Sequence, residues 1–375
     1  MQRSKAASIR SQGRVARDSA ASVRTITPCT AYYPGLVRAQ RAIVAFTSAI
    51  VLASCSKKAP PPAPKPLPSA SVDPVEAYER TLPTEAGSEA FEKAFHLHDQ
   101  ACTGGDLASC VDLGADFEQG RGVGKDSARA ATLYRQGCDR GIAAGCSNLG
   151  QLTDRGEGVA KDPTAAARLY GRGCDAGSPL GCDNLGLDYK DGVGVPPDDA
   201  RAAALFAQAC DLGNADACTN LGFMRSTGRG VPKDGALAVQ LYRQGCDAGS
   251  GQGCHNLAFR YEHGEGVDKS DRLALPLYDR ACTLGVAGAC DNMGGLYERS
   301  AEIPHDMPAA VRLFGQSCAM GDAMGCNNVG HMYELGRGVP QDDAKAASYY
   351  RRACDAGIAL ACSNLGLLQK AGRGT

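Results

Sequence analysis

Cysteines recur along this chain at a fixed spacing. A pair with seven residues between its members, Cys138 and Cys146, returns 36 residues later at Cys174 and Cys182, then at Cys210 and Cys218, Cys246 and Cys254, Cys282 and Cys290, Cys318 and Cys326, and Cys354 and Cys362. Upstream, Cys102 and Cys110 fall on the same register. A strict period of this size constrains the fold more than composition does, because each copy is one supersecondary unit that cannot bury its apolar face alone and must stack on its neighbours. Residues 89–375 are therefore read as one solenoid, with seven full units starting at Leu107, Ala143, Pro179, Ala215, Gly251, Ala287 and Ala323. A half unit ending in Cys102 precedes them, and another, Ala359 to Thr375, follows.

Within a unit the pattern predicts two helices. After the second cysteine comes Asn-Leu-Gly, as at Asn148-Leu149-Gly150 and Asn220-Leu221-Gly222, and often an aromatic three residues on, as at Tyr189, Tyr261, Tyr297 and Tyr333. Cysteine, leucine, glycine and aromatic fall on one helical stripe, the buried face of a first helix. A glycine there costs about 1 kcal/mol relative to alanine, which makes sense where a neighbouring helix approaches closely. Gly-x-Gly-Val then stops the helix, as at Gly156-Glu157-Gly158-Val159. It lacks the third glycine and preceding strand of a dinucleotide loop, and reads as a turn with one buried valine. Asp126, Asp162, Asp198, Asp234, Asp306 and Asp342 follow, placed to cap a second helix. That helix carries Leu-Tyr pairs such as Leu133-Tyr134 and Leu277-Tyr278 shortly before the next cysteine. Each cysteine pair encloses a glycine, for example Gly141, that suits the left-handed residue closing a helix. The chain then reverses, so the two cysteines sit at the tight end of a helical hairpin, where a disulfide staple between consecutive helices is geometrically open.

These elements together resemble the Sel1-like repeat proteins, in particular their cysteine-rich bacterial branch typified by the Helicobacter cysteine-rich proteins. The resemblance implies an all-α, right-handed superhelical solenoid of disulfide-stapled α-α hairpins, related to tetratricopeptide arrays, with each cysteine pair closed as a local disulfide. One unit departs from the pattern: Ser300-Ala301-Glu302-Ile303 stands in place of Gly-x-Gly-Val, so a differently shaped loop is expected there. Sixteen regularly placed cysteines fit an oxidising compartment. Zinc is the rival use of so many thiols, yet no Cys-x-x-Cys occurs, and no metal or other cofactor is expected.

The front of the chain reads as the route to such a compartment. Arg38 and Arg41 precede an apolar run from Ala42 to Ala53, too short to span a bilayer and the right length for a signal h-region. The run ends in Leu52-Ala53-Ser54-Cys55, which resembles the lipobox of bacterial lipoproteins and implies lipidation of Cys55. A proline-rich stretch from Lys57 to Pro74 follows, of the kind that holds a domain away from a surface. The expected organisation is a signal region at 1–54, a lipidated cysteine and tether at 55–88, and the solenoid at 89–375. The first 36 residues, rich in Arg and Ser, fit a signal poorly and point to a start codon placed too far upstream. Residues 1–54 hold eight Lys or Arg and one Asp, so the remainder carries 32 basic and 40 acidic residues, net −8. An acidic array without a basic patch argues against a nucleic-acid partner.

Some members of the cysteine-rich branch have been labelled β-lactamases or penicillin-binding proteins, which makes a peptidoglycan- or β-lactam-binding protein with weak hydrolytic activity the alternative to a scaffold. A serine β-lactamase needs Ser-x-x-Lys, Ser-Asp-Asn and Lys-Thr-Gly. The one Ser-x-x-Lys here, Ser54 to Lys57, straddles the expected cleavage site, and the other two elements are absent. No catalytic residue is therefore named. Variation among units points instead to binding. Positions one, five and eight after the second cysteine are read as lying off the core stripe: Thr219, Phe223, Ser226; His255, Phe259, Glu262; Asp291, Gly295, Glu298; Asn327, His331, Glu334. By resemblance to tetratricopeptide arrays they line a concave surface, the kind that solenoids use for extended ligands. The expected function is a non-enzymatic scaffold of the bacterial cell envelope, a periplasmic or outer-membrane lipoprotein, that binds a protein or extended peptide. The groove residues are Phe223, Phe259, His331, Asn220, Asn256, His255, Glu262 and Glu334. The asparagine ladder to which Asn220 and Asn256 belong has a second reading, a structural one in which it bonds backbone between units.

Overall fold

The computed structural model describes residues 88–374, all within one compact unit of the chain. The signal region, Cys55 and the tether lie outside the described residues. Among the described residues there are sixteen helices and no strand: α1 (Ser88–Thr103), α2 (Leu107–Gln119), α3 (Ser127–Asp139), α4 (Ala143–Arg155), α5 (Pro163–Asp175), α6 (Pro179–Asp191), α7 (Asp199–Asp211), α8 (Ala215–Thr227), α9 (Gly235–Asp247), α10 (Gly251–His263), α11 (Asp271–Thr283), α12 (Ala287–Arg299), α13 (Met307–Ala319), α14 (Ala323–Leu335), α15 (Asp343–Asp355) and α16 (Ala359–Lys370). Even-numbered helices are the first helices of the units and odd-numbered ones the second, as the period predicts. Each helix packs on its neighbours in sequence, and first helices also touch across units, α4 on α6, α8 on α10 and α12 on α14. The first helices thus form one continuous layer.

Local chemistry fixes where each helix starts and stops. The six aspartates read as caps all sit at N-cap positions with side chains accepting from backbone amides, as Asp126 does from Ala128 and Arg129. Ser270 takes that role for α11. Gly141, between the paired cysteines, has φ 85°, a left-handed conformation that other residues rarely adopt. The reversal it permits brings the α carbons of each cysteine pair to between 4.4 and 4.9 Å, and all eight pairs are closed as disulfides.

The glycine of Asn-Leu-Gly is explained by what lies on it. A Cβ on Gly150 would stand 2.6 Å from the Tyr170 ring, and one on Gly222 would stand 2.8 Å from Tyr242. In each case the aromatic of the second helix rests against the bare backbone of the first, where it is almost wholly buried. Ala258 is the exception: it is fully buried in the same cluster as Tyr278, whose ring meets His255 edge-on at 5.6 Å. The Gly-x-Gly-Val turn joins units. A Cβ on Gly158 would lie 2.3 Å from the carbonyl of Ser127, at the start of the preceding unit's second helix, so the loop's own backbone presses against that helix. The odd loop at 300–303 makes the same junction with side chains. Glu302 accepts from Ser270 Oγ and from the Arg272 amide at the start of α11, and Ser300 Oγ donates to Asp271 at 2.5 Å. Ile303 is buried at the place of the valine.

Candidate functional site

The residues five positions after the second cysteine differ in exposure, from buried Gly295 to exposed Phe223. Phe223 is 43% exposed although it is large and apolar. Phe259, one unit on, is half-buried and stacks on His263 of its own helix with centroids 3.9 Å apart. Leu187 holds the same position one unit before Phe223 and is half-buried. His331 is exposed. Gly295 occupies this row between Phe259 and His331, and the Arg299 guanidinium lies across the space its missing side chain leaves.

Positions one and eight depart from the expectation. Thr219, Ser226 and Asn327 are buried, and Glu262 is only 9% exposed. The reason is a third helix that a single-helix reading leaves out: the first helix of the next unit covers these residues. Glu262 accepts from the Tyr278 hydroxyl at 2.7 Å and from Arg299 at 3.2 Å, and Glu334 accepts from Tyr350 at 2.7 Å. Arg373 lies 3.6 Å from the same Glu334 carboxylate. Glu262 and Glu334 are therefore junction residues that tie units together. His255 is half-buried, with its Nδ1 unpartnered, and burial pushes its pKa down despite Glu262.

The asparagine ladder bonds side chains across units where the structural reading had it bonding backbone. Asn220 donates to Asp183 at 3.0 Å, Asn328 to Asp291 at 2.8 Å and Asn364 to Asn327 at 3.2 Å. Asn256 instead accepts from Gln252 one turn earlier in its own helix. Burial raises Asp183, against the lowering bond from Asn220, and raises Asp291 to about 6, again with its asparagine opposing.

Sequence reading by positions one, five and eight missed Asp188. It sits six after the second cysteine, where neighbouring units place Leu152 and Met224, and a carboxylate among such core residues was the available signal. Among the described residues no three His, Cys, Asp or Glu side chains are grouped to hold a metal ion, and no helix is long and apolar enough to cross a membrane.

The Sel1 repeat family model matches residues 88–106 and then seven consecutive 36-residue windows from 107–142 to 323–358, well over half of the chain. The protein belongs to the Sel1 repeat family. Family windows begin where the units read from the sequence begin, at Leu107, Ala143 and onward. Among solved structures, the chain is similar to c5321, a protective antigen present in uropathogenic Escherichia coli strains with an SLR fold, at 26% identity and TM-score 0.60, covering 78% of this chain and 62% of that one. It thus spans less than two thirds of that antigen's length. A Sel1 repeat protein from Oxalobacter formigenes matches at 24% identity and TM-score 0.59 over 79% of this chain and 85% of that one. Helicobacter pylori cysteine rich protein B matches at 28% identity over 35% of this chain and 93% of that one, with TM-score 0.30. No curated protein matches by sequence. The Sel1 repeat is a scaffold typical of protein–protein interaction, in a family that is generally non-enzymatic. Eight disulfides are of the kind that persist in an oxidising compartment, which points to an extracytoplasmic protein.

Proposed function

We propose that this Sel1 repeat protein is a non-enzymatic scaffold of the bacterial cell envelope, lipid-anchored through Cys55, that binds a protein or extended peptide along the free face of its first-helix layer. The observation that carries the reading is the row Leu187, Phe223, Phe259, at one register position in three successive units, with Phe223 43% exposed. An exposed apolar side chain of the size of Phe223 favours an anchor for a partner, since aromatic residues dominate binding hot spots. His331 and Asn256 extend the surface with polar groups. Replacing Phe223 and Phe259 together by serine is expected to abolish capture of the envelope partner while leaving the melting temperature nearly unchanged. A large fall in melting temperature would place both rings in the core and remove the groove. The anchor is tested separately: Cys55→Ala is expected to move the protein from the membrane to the soluble fraction, and an intact mass showing an unmodified N-terminus in wild type would refute lipidation.

A further inference from the structure

Three of the junctions between first helices follow one rule. A glutamate eight residues after the second cysteine accepts from the tyrosine of the second helix and takes an arginine from beyond the next first helix's core stripe. Glu118 does so with Tyr134 at 2.7 Å and Arg155 at 2.5 Å, Glu262 with Tyr278 and Arg299, and Glu334 with Tyr350 and Arg373. The acid is largely buried, and the guanidinium supplies the opposite charge and, at Glu118 and Glu262, a hydrogen bond that makes such burial tolerable.

The α4–α6 junction has the tyrosine and the acid but no arginine. Tyr170 is 4% exposed, and Asp154 stands where the other junctions have glutamate. The register position of Arg155 and Arg299 is filled by Asp191, and that of Leu152 and Leu296 by Asp188. Asp188 is 8% exposed and its Oδ2 has no hydrogen-bond partner, while Asn184 Nδ2 beside it is also unpartnered. Burial raises Asp188 to about 7, and Asp154 and Asp191 add to the rise, so both lie within electrostatic reach of Asp188. Of the nearby cations, Arg155 bonds Glu118 and Glu157, while Lys190 lies 3.5 Å from Asp191 and also acts on Asp183, and Arg229 acts on Asp191; the charges acting on Asp188 are the two aspartates. A comparable core carboxylate, Asp116, shows what a satisfied one looks like, with His98 at 2.7 Å and Arg121 at 3.4 Å. The Asp191 side chain is 54% exposed, whereas Asp188 is 8% exposed.

We propose that this junction is a binding site for an arginine side chain of the bound peptide, whose guanidinium takes the place that Arg155 and Arg299 fill in the sister junctions. The proposal rests on the groove reading above and names what one end of the groove recognises. The three carboxylates are not grouped to hold a metal ion, but a planar guanidinium with five donors bridges acceptors that a compact ion does not, and it exceeds the lysine ammonium in this respect. Of the aromatic anchors, Phe223 lies one unit beyond α6 and Phe259 two. Packed helices are about 10 Å apart and an extended chain advances about 3.3 Å per residue, so a ligand that reaches Phe259 carries an apolar residue about six positions from its arginine.

The test uses the full, oxidised chain and three blocked, fluorescein-labelled alanine peptides that carry phenylalanine six positions from arginine, from citrulline (its neutral isostere) or from lysine. Fluorescence anisotropy is expected to show the arginine peptide binding at least about tenfold tighter than either of the others. Asp188→Leu combined with Asp191→Arg, which restores the sister arrangement, is expected to erase that preference while circular dichroism shows an intact fold. Equal binding of arginine and citrulline peptides in wild type, lost on replacing Phe223 and Phe259 by serine, overturns the arginine site and leaves the groove standing. An arginine preference that persists in the double serine chain supports the arginine site and overturns the aromatic groove. Lysine matching arginine overturns the guanidinium assignment, and no binding of any peptide overturns both proposals.

Discussion

A ring lying on a glycine is the contact that repeats most faithfully, and its consequence is measurable. Gly222→Ala gains helix propensity of about 1 kcal/mol but sets a Cβ 2.8 Å from the Tyr242 ring, closer than any real contact. Overpacking of this kind costs roughly 1–3 kcal/mol, so the variant is expected to melt lower than wild type, while Gly366→Ala, with nothing within 4 Å, is expected to melt no lower. Equal melting temperatures for Gly222→Ala and wild type would show that the ring swings aside; in one unit the position is already alanine, Ala258, buried in one cluster with Tyr278. Asp188 gives a second residue-scale test. Its folded pKa of about 7 lies above the usual carboxylate value near 4, so the folded chain holds a proton there that the unfolded chain has released. Stability from this residue therefore falls as pH rises from about 4 to about 7 and is level above. The groups that interact with it are Asp154 on α4, Tyr170 on α5 and Asp191 on its own helix. Asp291, raised to about 6, shares the lower part of the window. The melting-temperature gain of Asp188→Leu over wild type is expected to be larger at pH 8 than at pH 5. A gain independent of pH would mean that the carboxylate is not desolvated.

At the scale of elements, what was legible in the sequence is what repeats. Glycine, cap aspartate and cysteine spacing recur in nearly every unit, because each serves a contact within one hairpin or to an invariant backbone. The junction partners were not legible. Glu262 meets Tyr278 within its own unit but Arg299 37 residues away in the next, and a helical stripe drawn on α10 alone places that glutamate in solvent. The loop at 300–303 was seen as a departure, but its compensation was not, since the Glu302 contact with the start of α11 spans 30 residues. That contact puts a carboxylate at the positive end of a helix, an arrangement worth about 0.5–2 kcal/mol. Glu302→Ala is expected to lower the melting temperature, and less so at 1 M salt, where the charge is screened. An effect unchanged by salt would assign the loss to the loop backbone instead.

For the whole molecule, the contact pattern decides how damage spreads. Helices pack on their sequence neighbours and first helices touch across one unit, so the array is quasi-one-dimensional, and each junction is coupled to the rest only through the units beside it. A disulfide that spans so short a loop contributes about 2 to 3 kcal/mol in the chain-entropy model. It restrains one hairpin, here for instance the Cys246–Cys254 link between α9 and α10. Replacing both cysteines by alanine leaves the buried faces of α9 and α10 intact but frees their connection. Hydrogen exchange is therefore expected to quicken in α9 and α10, weakly in α8 and α11, and not in α2 or α15. Uniform quickening from α2 to α15 would mean that the solenoid unfolds as one cooperative body, and the staples would then have to be regarded as a global clamp. Local softening would carry a functional corollary. Because Phe259 rides on α10 and the acidic junction lies between α4 and α6, loss of this one staple should weaken binding at the aromatic end of the groove and leave the arginine preference at the other end unchanged.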